Sequence, residues 1–233
     1  MHHTLQLNLC LPALCVLSVS LLAAPKDIRL EPGAWTAHKV VATAETYKGR
    51  AGVTVTDAVR DDPAANEDRL LVLSGTDMQD GVIELDLSGE PESGAAEGAR
   101  GFVGVAFRAA PDLAQFEAFY LRPTNGRAAD QVRRNHSVQY ISYPQFPWRR
   151  LRKEFPEKYE SYVDLVPGEW TAVRIEVEGA QARLYVHGAS QPALLVNDLK
   201  LGPAAKGTIA LWIGPGTVAH FANVRVSDLA AAR

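Results

Sequence analysis

The chain has 233 residues, of which 47% are hydrophobic and 22% are charged. This composition is typical of a globular protein and excludes a predominantly disordered chain. The formal net charge of -3 argues against a nucleic-acid-binding protein that depends on an overall positive charge.

The N-terminal segment, residues 1–24, contains no Asp, Glu, Lys or Arg, and its middle part is almost wholly apolar. An apolar core of this length predicts a secretory signal peptide rather than a membrane span. An uncleaved anchor stays open as the alternative, because the segment begins with histidines instead of basic residues and Pro25 follows it directly. Both cysteines, Cys10 and Cys15, lie within it, so cleavage leaves a thiol-free chain. We therefore expect a secreted, periplasmic protein with no membrane insertion after cleavage.

Beyond the N-terminal segment, short strands separated by Gly, Pro and Asp dominate the sequence. Alternation is clearest at Val173, Ile175 and Val177, which are separated by charged residues that would face water. The predicted strands are residues 53–56, 69–73, 82–87, 102–108, 116–122, 137–143, 159–165, 171–178, 182–187, 208–213 and 218–226. Strands at this spacing predict a single all-β domain over residues 25–233, built as an antiparallel sandwich. Residues 110–118 are the one stretch with an alternative helical pattern.

Charge is unevenly distributed along the domain. Residues 57–97 contain twelve Asp and Glu against two Arg, whereas residues 122–153 contain eight Lys and Arg against one Asp. The basic stretch lies within a long excursion at residues 124–156, and long excursions on a sandwich often carry function. Aromatic faces beside guanidinium groups suit the binding of sugar rings. Alternatively, the aromatics pin a solvated loop to the sandwich, and the two charged regions pair across the fold.

Five segments carry a sequence pattern that is typical of the strands of a known protein superfamily. They are GVIELDL at residues 81–87, GFVGVAFR at residues 101–108, PGEW at residues 167–170, GTIALWIG at residues 207–214 and AHFANVRV at residues 219–226. Together they resemble the concanavalin-A-like lectin/glucanase superfamily, with the keto-disaccharide hydrolase-like domain as the nearest branch. The resemblance spans roughly residues 33–228 and rests mostly on structural positions, so it is informative about fold more than activity.

This resemblance implies a jelly roll of two curved antiparallel sheets that binds a sugar or glycan on its concave face. The catalytic glucanases of the superfamily carry a strand with alternating carboxylates, and here Glu84 and Asp86 match its first two positions. Glu90 follows only after Gly89, which puts the third position in doubt. Two carboxylates on one strand face suit glycoside hydrolysis. The alternative is an ordinary strand with an acidic, solvent-facing side.

Candidate ligand-binding residues come from two neighbouring strands and the excursion. Arg108, Tyr120 and Arg122 would project onto one face if the intervening apolar residues point into the core. His136, in the basic stretch, is a candidate acid or base that would act with Glu84 or Asp86, although a surface hydrogen-bonding role is the alternative. The remaining candidates for ligand binding, all within the excursion, are Asn125, Arg134, Asn135, Tyr140 and Trp148.

No His or Cys cluster with metal-ligand spacing occurs, so we expect no metal and no cofactor. Calcium is kept as an alternative, because the acidic loops at residues 61–68 and 77–81 offer oxygen ligands.

Three functions remain in competition: a secreted carbohydrate-binding protein, a glycoside hydrolase of the keto-disaccharide type, and a structural or adhesive sandwich. Carbohydrate is the expected partner in the first two, and the oligomeric state stays open.

Overall fold

A computed structural model of the chain describes residues 23–59 and 68–229. The predicted signal peptide, residues 1–24, lies almost entirely outside this part, as does most of the acidic loop at residues 61–68. Within the described ranges, no helix combines the length and the apolar character that a bilayer span requires.

The described residues form a sandwich of two antiparallel sheets, as the strand pattern predicts. The strands are β1 (Lys26–Asp27), β2 (Trp35–His38), β3 (Val40–Tyr47), β4 (Arg50–Asp57), β5 (Arg69–Leu73), β6 (Gly81–Pro91), β7 (Val103–Ala109), β8 (Phe116–Leu121), β9 (Val138–Tyr143), β10 (Glu160–Ser161), β11 (Thr171–Glu178), β12 (Gln181–Val186), β13 (Leu194–Val196), β14 (Thr208–Ile213) and β15 (Thr217–Asp228). An eight-stranded sheet has the order β13-β12-β11-β6-β15-β4-β3, with β1 also paired to β15. A seven-stranded sheet has the order β10-β9-β8-β7-β14-β5-β2.

Two short helices and a 3-10 turn (Pro123–Asn125) belong to the excursion. Helix α1 (Gln131–Asn135) begins where the Asp130 carboxylate accepts a hydrogen bond from the Arg133 backbone N–H at 2.8 Å, which satisfies one free donor of the first turn. Helix α2 (Trp148–Glu154) follows Pro147. Strand β9 lies between the two helices, so the excursion is partly built into the seven-stranded sheet.

The core lies between the two sheets and follows the period-two pattern of the strands. In β6, Ile83, Leu85 and Leu87 are buried in the interior, whereas Glu84 and Asp86 alternate with them on the outer side. Each such apolar side chain stabilises the fold by roughly 1.5–3 kcal/mol on burial. The strand therefore fixes both carboxylates on the outer face of the eight-stranded sheet.

The predicted strands at residues 69–73, 171–178 and 208–213 are confirmed at both ends. The helical alternative for residues 110–118 is wrong, because a turn fills its first part and β8 begins at Phe116. Strands β1, β2, β3 and β13 were not predicted. Strand β1 has only two residues, and the other three are sheet edges, where fewer positions are buried and the apolar alternation is correspondingly weak.

The excursion covers the outer face of the seven-stranded sheet. Leu151 of α2 is 1% exposed, and Trp148 and Phe146 pack against the core. Beneath them, Tyr120 and Gln139 are buried on the side of the sheet that faces away from the interior. The excursion and the carboxylates of β6 therefore lie on opposite outer faces of the sandwich.

Candidate functional site

A groove crosses the outer face of the eight-stranded sheet. The strand registers place Ala172, Asp86, Ala222 and Gly52 opposite one another on four adjacent strands. Residues opposite one another in an antiparallel sheet lie roughly 5 Å apart. Three of the four have no functional side chain, so Asp86 supplies the one polar group in the floor of this row.

A second row runs beside the groove, one pleat away along each strand. Tyr185 lies opposite Arg174, Arg174 opposite Glu84, and Glu84 opposite Arg225. The row thus presents an aromatic ring, two guanidinium groups and a carboxylate along one side of the groove.

Together the two rows form an open cleft of about 650 Å³. The turn after β12 and the first strand of the domain close its sides. The cleft is lined by Asp27, Glu84, Leu85, Asp86, Ala172, Val173, Arg174, Tyr185, Gly188, Ala189, Ser190, Asn223 and Arg225. A cleft with a few convergent polar groups is the usual form of a small-ligand site.

The two carboxylates that β6 contributes to the cleft are held by cross-strand partners. Asp86 Oδ2 accepts a hydrogen bond from Asn223 Nδ2 at 2.6 Å and forms an ion pair with Arg50 Nη1 at 3.0 Å. Glu84 Oε2 lies 3.3 Å from Arg225 Nη2. Asn223 has a φ of 55° at a register shift in β15, which sets the direction of its side chain. These contacts orient the two acceptors without enclosing them.

Arg174 and Tyr185 form the far end of the cleft. The guanidinium carbon of Arg174 lies 3.9 Å from the centre of the Tyr185 ring, and the same guanidinium pairs with Glu176. The Tyr185 hydroxyl donates to Glu176 Oε2 at 2.9 Å. Burial and this hydrogen bond raise the pKa of Tyr185, so the phenol stays protonated at neutral pH. The pair offers a flat cationic surface to a ligand.

An aromatic cluster closes the groove at its opposite end. Tyr47 stacks on His220, with ring centres 3.5 Å apart and an interplanar angle of 3°, and Gly52 lines the same end of the groove. The Arg50 guanidinium lies 5.1 Å from the centre of the Trp170 ring while also pairing with Asp86. The cluster thus packs directly against the carboxylate at the centre of the groove.

His220 is held in this cluster by a hydrogen bond to Thr54. Its Nδ1 lies 2.7 Å from the Thr54 hydroxyl oxygen, and that hydroxyl donates its hydrogen to Glu45. Because the hydroxyl has a single hydrogen, Nδ1 is the donor to Thr54. Burial lowers the pKa of His220 below its ordinary value, which favours the neutral imidazole.

The structure does not form the predicted platform of Arg108, Tyr120 and Arg122. Pairing of Phe107 with Glu117 and of Val103 with Leu121 places the two arginines at opposite ends of the β7–β8 hairpin. Arg108 is 1% exposed and lies between the sheets. Its predicted position on a ligand-binding face is therefore corrected.

Arg122, Tyr120 and Asn125 are also buried, on the outer face that the excursion covers. Arg122 donates to the Tyr120 hydroxyl at 2.9 Å and to the His136 carbonyl at 2.8 Å. Asn125 donates to the same carbonyl at 3.1 Å and accepts from Arg133 Nε at 2.9 Å. These contacts hold the excursion in place.

His136 and the carboxylates of β6 are not brought together. His136 Nδ1 lies 3.1 Å from Glu160 Oε2, on the outer face opposite the cleft. Burial, partly opposed by the Glu160 charge, lowers the pKa of His136 below its ordinary value. The predicted cooperation of His136 with Glu84 or Asp86 is therefore corrected, because the two sheets separate them.

The other predicted residues of the excursion take three kinds of position. Tyr140 is buried in the interior, where its hydroxyl donates to Glu117 Oε1 at 2.7 Å. Trp148 is half-buried, with the Arg152 guanidinium 4.7 Å from its ring centre. Arg134 donates to the Tyr162 hydroxyl at 2.9 Å, and Asn135 is exposed on α1.

The second acidic loop, at residues 77–81, directs its two carboxylates apart. Asp77 pairs with Lys206 at 2.7 Å, whereas Asp80 accepts from Arg108 at 3.1 Å and from the Gly179 N–H at 2.8 Å. No group of three or more His, Cys, Asp and Glu side chains suited to a metal ion occurs in residues 23–59 and 68–229.

Many solved structures match the fold of this chain, and two of them are compared in detail. The carbohydrate-binding module CBM66 from Bacillus subtilis is 14% identical, with a TM-score of 0.55 over 82% of this chain and 93% of that chain. A Bacillus subtilis protein of unknown function with a galectin-like fold is 12% identical, with a TM-score of 0.56 over 89% and 97% of the two chains. No protein-family model and no curated protein matches the chain. The predicted concanavalin-A-like sandwich is thus confirmed as a fold, and the keto-disaccharide hydrolase-like branch stays a prediction.

The sequence singled out Glu84 and Asp86 as candidate catalytic residues, and both line the cleft, but Arg174, Tyr185 and Asn223 were missed. The available signal was the alternation of charged and apolar residues in β11, which indicates only that Arg174 faces outward. Its position beside Glu84 depends on the pairing of β11 with β6, two strands far apart in the chain.

Proposed function

We propose that this protein binds a carbohydrate in the cleft on the outer face of the eight-stranded sheet. The observation that carries the proposal is the row of Tyr185, Arg174, Glu84 and Arg225 beside Asp86. Planar donors and carboxylate acceptors at strand spacing match the closely spaced hydroxyl groups of a sugar. The carbohydrate-binding neighbour CBM66 shares the sandwich, which supports the same choice.

A glycoside hydrolase of the keto-disaccharide type is the second candidate, and it rests on Glu84 and Asp86. The two residues share one strand face, with Cα atoms roughly 7 Å apart. Most glycosidases act through two carboxyl groups that flank the scissile bond. Incubation with ordinary and keto-oxidised disaccharides, followed by mass spectrometry of the products, separates the candidates: a released monosaccharide indicates the enzyme.

Removing Arg174 tests the binding site directly. We expect Arg174→Ala to weaken sugar affinity about tenfold, or about 1.4 kcal/mol, because the guanidinium supplies both donors and a flat surface. Isothermal titration of sucrose, lactose, cellobiose and their keto-oxidised forms measures the loss. Arg183→Ala is the matched control, since Arg183 lies on the adjacent strand and outside the cleft lining.

Equal affinity in Arg174→Ala and wild type would show that sugars bind elsewhere. Absence of both binding and turnover across the panel would leave the structural or adhesive sandwich as the better account.

We propose secretion to the periplasm on the basis of the apolar segment at residues 1–24 alone. The N-terminal sequence of the protein recovered from expressing cells tests it: a chain that still begins at Met1 contradicts cleavage.

A further inference from the structure

The two carboxylates that β6 contributes to the cleft, Glu84 and Asp86, each use one oxygen for their partners and keep the other for the cleft. Asp86 accepts from Asn223 and pairs with Arg50 through the same oxygen, Oδ2. Glu84 pairs with Arg225 through Oε2. Within the described residues, Asp86 Oδ1 and Glu84 Oε1 accept no hydrogen bond, and neither is among the enclosed polar atoms. The cleft therefore presents two oriented acceptors on one strand face.

The cleft's guanidinium groups are already paired. Arg174 engages Glu176, and Arg225 engages Glu84. A third carboxylate, Asp27, is exposed at the rim and forms no ion pair within residues 23–59 and 68–229. With Asp86 paired to Arg50, Glu84 to Arg225 and Arg174 to Glu176, Asp27 gives the cleft one excess negative charge. Nothing in the lining is left over to balance an anionic ligand.

We propose that the cleft selects a sugar that carries a hydroxyl or amino group at the position facing β6 and discriminates against the corresponding uronic acid; this rests on the sugar-binding function proposed above. A hydroxyl or ammonium group donates to Asp86 Oδ1 or Glu84 Oε1, and such charge-assisted hydrogen bonds are short and strong. A uronate has no hydrogen to donate there. It also brings a like charge within a few ångströms of two carboxylates in a partly desolvated cleft.

Matched glycosides test this selectivity on the wild-type protein. The probes are methyl glucoside, methyl glucosaminide and methyl glucuronide, with the galactose series in parallel. Titration by NMR is expected to give at least tenfold weaker binding of the uronide than of the neutral glycoside in whichever series binds. Raising the salt concentration is expected to narrow the difference, because screening weakens the repulsion.

A charge-neutral variant gives a second measurement. In Glu84→Gln/Asp86→Asn, the side chains keep their shape and lose their charge, so the preference for neutral glycoside over uronide is expected to fall at least fivefold. Asp112→Asn is the matched control, an exposed carboxylate on the β7–β8 turn that is expected to leave the preference unchanged.

The outcomes separate the two proposals. Binding of the uronide equal to or tighter than that of the neutral glycoside, lost in Arg174→Ala, overturns the selectivity and leaves sugar binding in place. A preference that persists in the charge-neutral variant also overturns it. Failure of every glycoside and every disaccharide to bind overturns the proposed function and the selectivity together.

Discussion

Replacing Arg108 by Met is expected to lower the free energy of unfolding by about 3–5 kcal/mol, the usual cost of breaking a buried charge pair on one side. The Arg108 side chain is fully buried and pairs with Asp80 at 3.1 Å and with Glu117 at 3.5 Å. It also donates to three main-chain carbonyl groups at 2.8, 2.9 and 3.1 Å. The variant leaves the Glu117 carboxylate buried without its cation. Urea unfolding at neutral pH measures the loss.

Two comparisons isolate the cause. Arg127→Met removes an exposed bidentate pair with Asp164 and is expected to cost at most about 1 kcal/mol. Adding Glu117→Gln to Arg108→Met is expected to restore part of the stability, because it removes the unpaired charge. If Arg108→Met unfolds like wild type but loses sugar binding, the ligand-binding role predicted from the sequence is correct and the structural role is wrong.

The pH dependence of the Arg108→Met variant provides a further check. Burial already raises the pKa of Glu117 above its ordinary value in the wild type, and loss of the nearby cation raises it further. A carboxyl whose folded pKa is raised stabilises the fold below its unfolded pKa and loses that contribution as the pH rises. The deficit of Arg108→Met relative to wild type is therefore expected to shrink on acidification.

The sequence predicted the central strands well because a strand that pairs with neighbours on both sides shows a regular pattern of apolar residues. Strands β6, β11 and β14 have neighbours on both sides, and their inward positions are regularly apolar. Strand β3 forms an edge, and of its eight residues only Val40 is buried, so its Ala and Thr positions carry no legible alternation. An edge strand is defined by the strand with which it pairs, and a single sequence does not show which strands pair.

The candidate site was half predictable for the same reason. The outward direction of Glu84 and Asp86 follows from alternation within one strand. Asn223 and Arg225 reach these carboxylates only because β15 pairs with β6 and shifts register between Ala222 and Arg225. That pairing joins strands more than a hundred residues apart. The second row of the cleft therefore depends on which strands pair in the sheet.

The excursion shows why polar residues misled the prediction. Basic and aromatic residues in a long loop suggested a ligand surface, but Trp148 and Phe146 pack on the core. The arginines find acceptors close by, as Arg122 does at Glu160. In the described part of the chain, Asp57 pairs with Arg69, Asp80 with Arg108 and Glu84 with Arg225, so these carboxylates find their partners outside residues 122–153. A buried arginine whose donors find hydrogen-bond acceptors cannot be told from an exposed arginine by composition, because composition does not reveal hydrogen-bond partners.

Replacing Glu160 by Gln is expected to cost about 3 kcal/mol and to loosen the excursion first. The Glu160 side chain is 3% exposed and accepts from Arg122 at 3.2 Å and from Arg152 at 2.9 Å. His136 lies 3.1 Å away on the same carboxylate. One residue thus ties the end of β8, helix α2 and the loop before β9 to β10. Hydrogen exchange is expected to show loss of protection in α2 before the central strands, and urea unfolding gives the total.

The acid dependence of the same cluster distinguishes this anchor from an ordinary surface pair. Burial alone would raise the pKa of Glu160, but Arg152, Arg122 and His136 together lower it below 4.5. A carboxyl with a lowered folded pKa stabilises the fold above its unfolded pKa, and that stability is lost as the pH falls through the folded pKa. The pKa of His136 is lowered below 6.5 in the folded protein. The stability that neutral His136 contributes is therefore lost first, as the pH falls from that value.

Wild type is therefore expected to lose stability in two stages on acidification, whereas Glu160→Gln lacks the second stage and converges on wild type at low pH. The control Glu154→Gln removes an exposed pair with Arg150 on α2 and is expected to run parallel to wild type throughout. If Glu160→Gln also runs parallel to wild type, the carboxylate is not the anchor. The excursion would then be held by the packing of Trp148 and Leu151 instead.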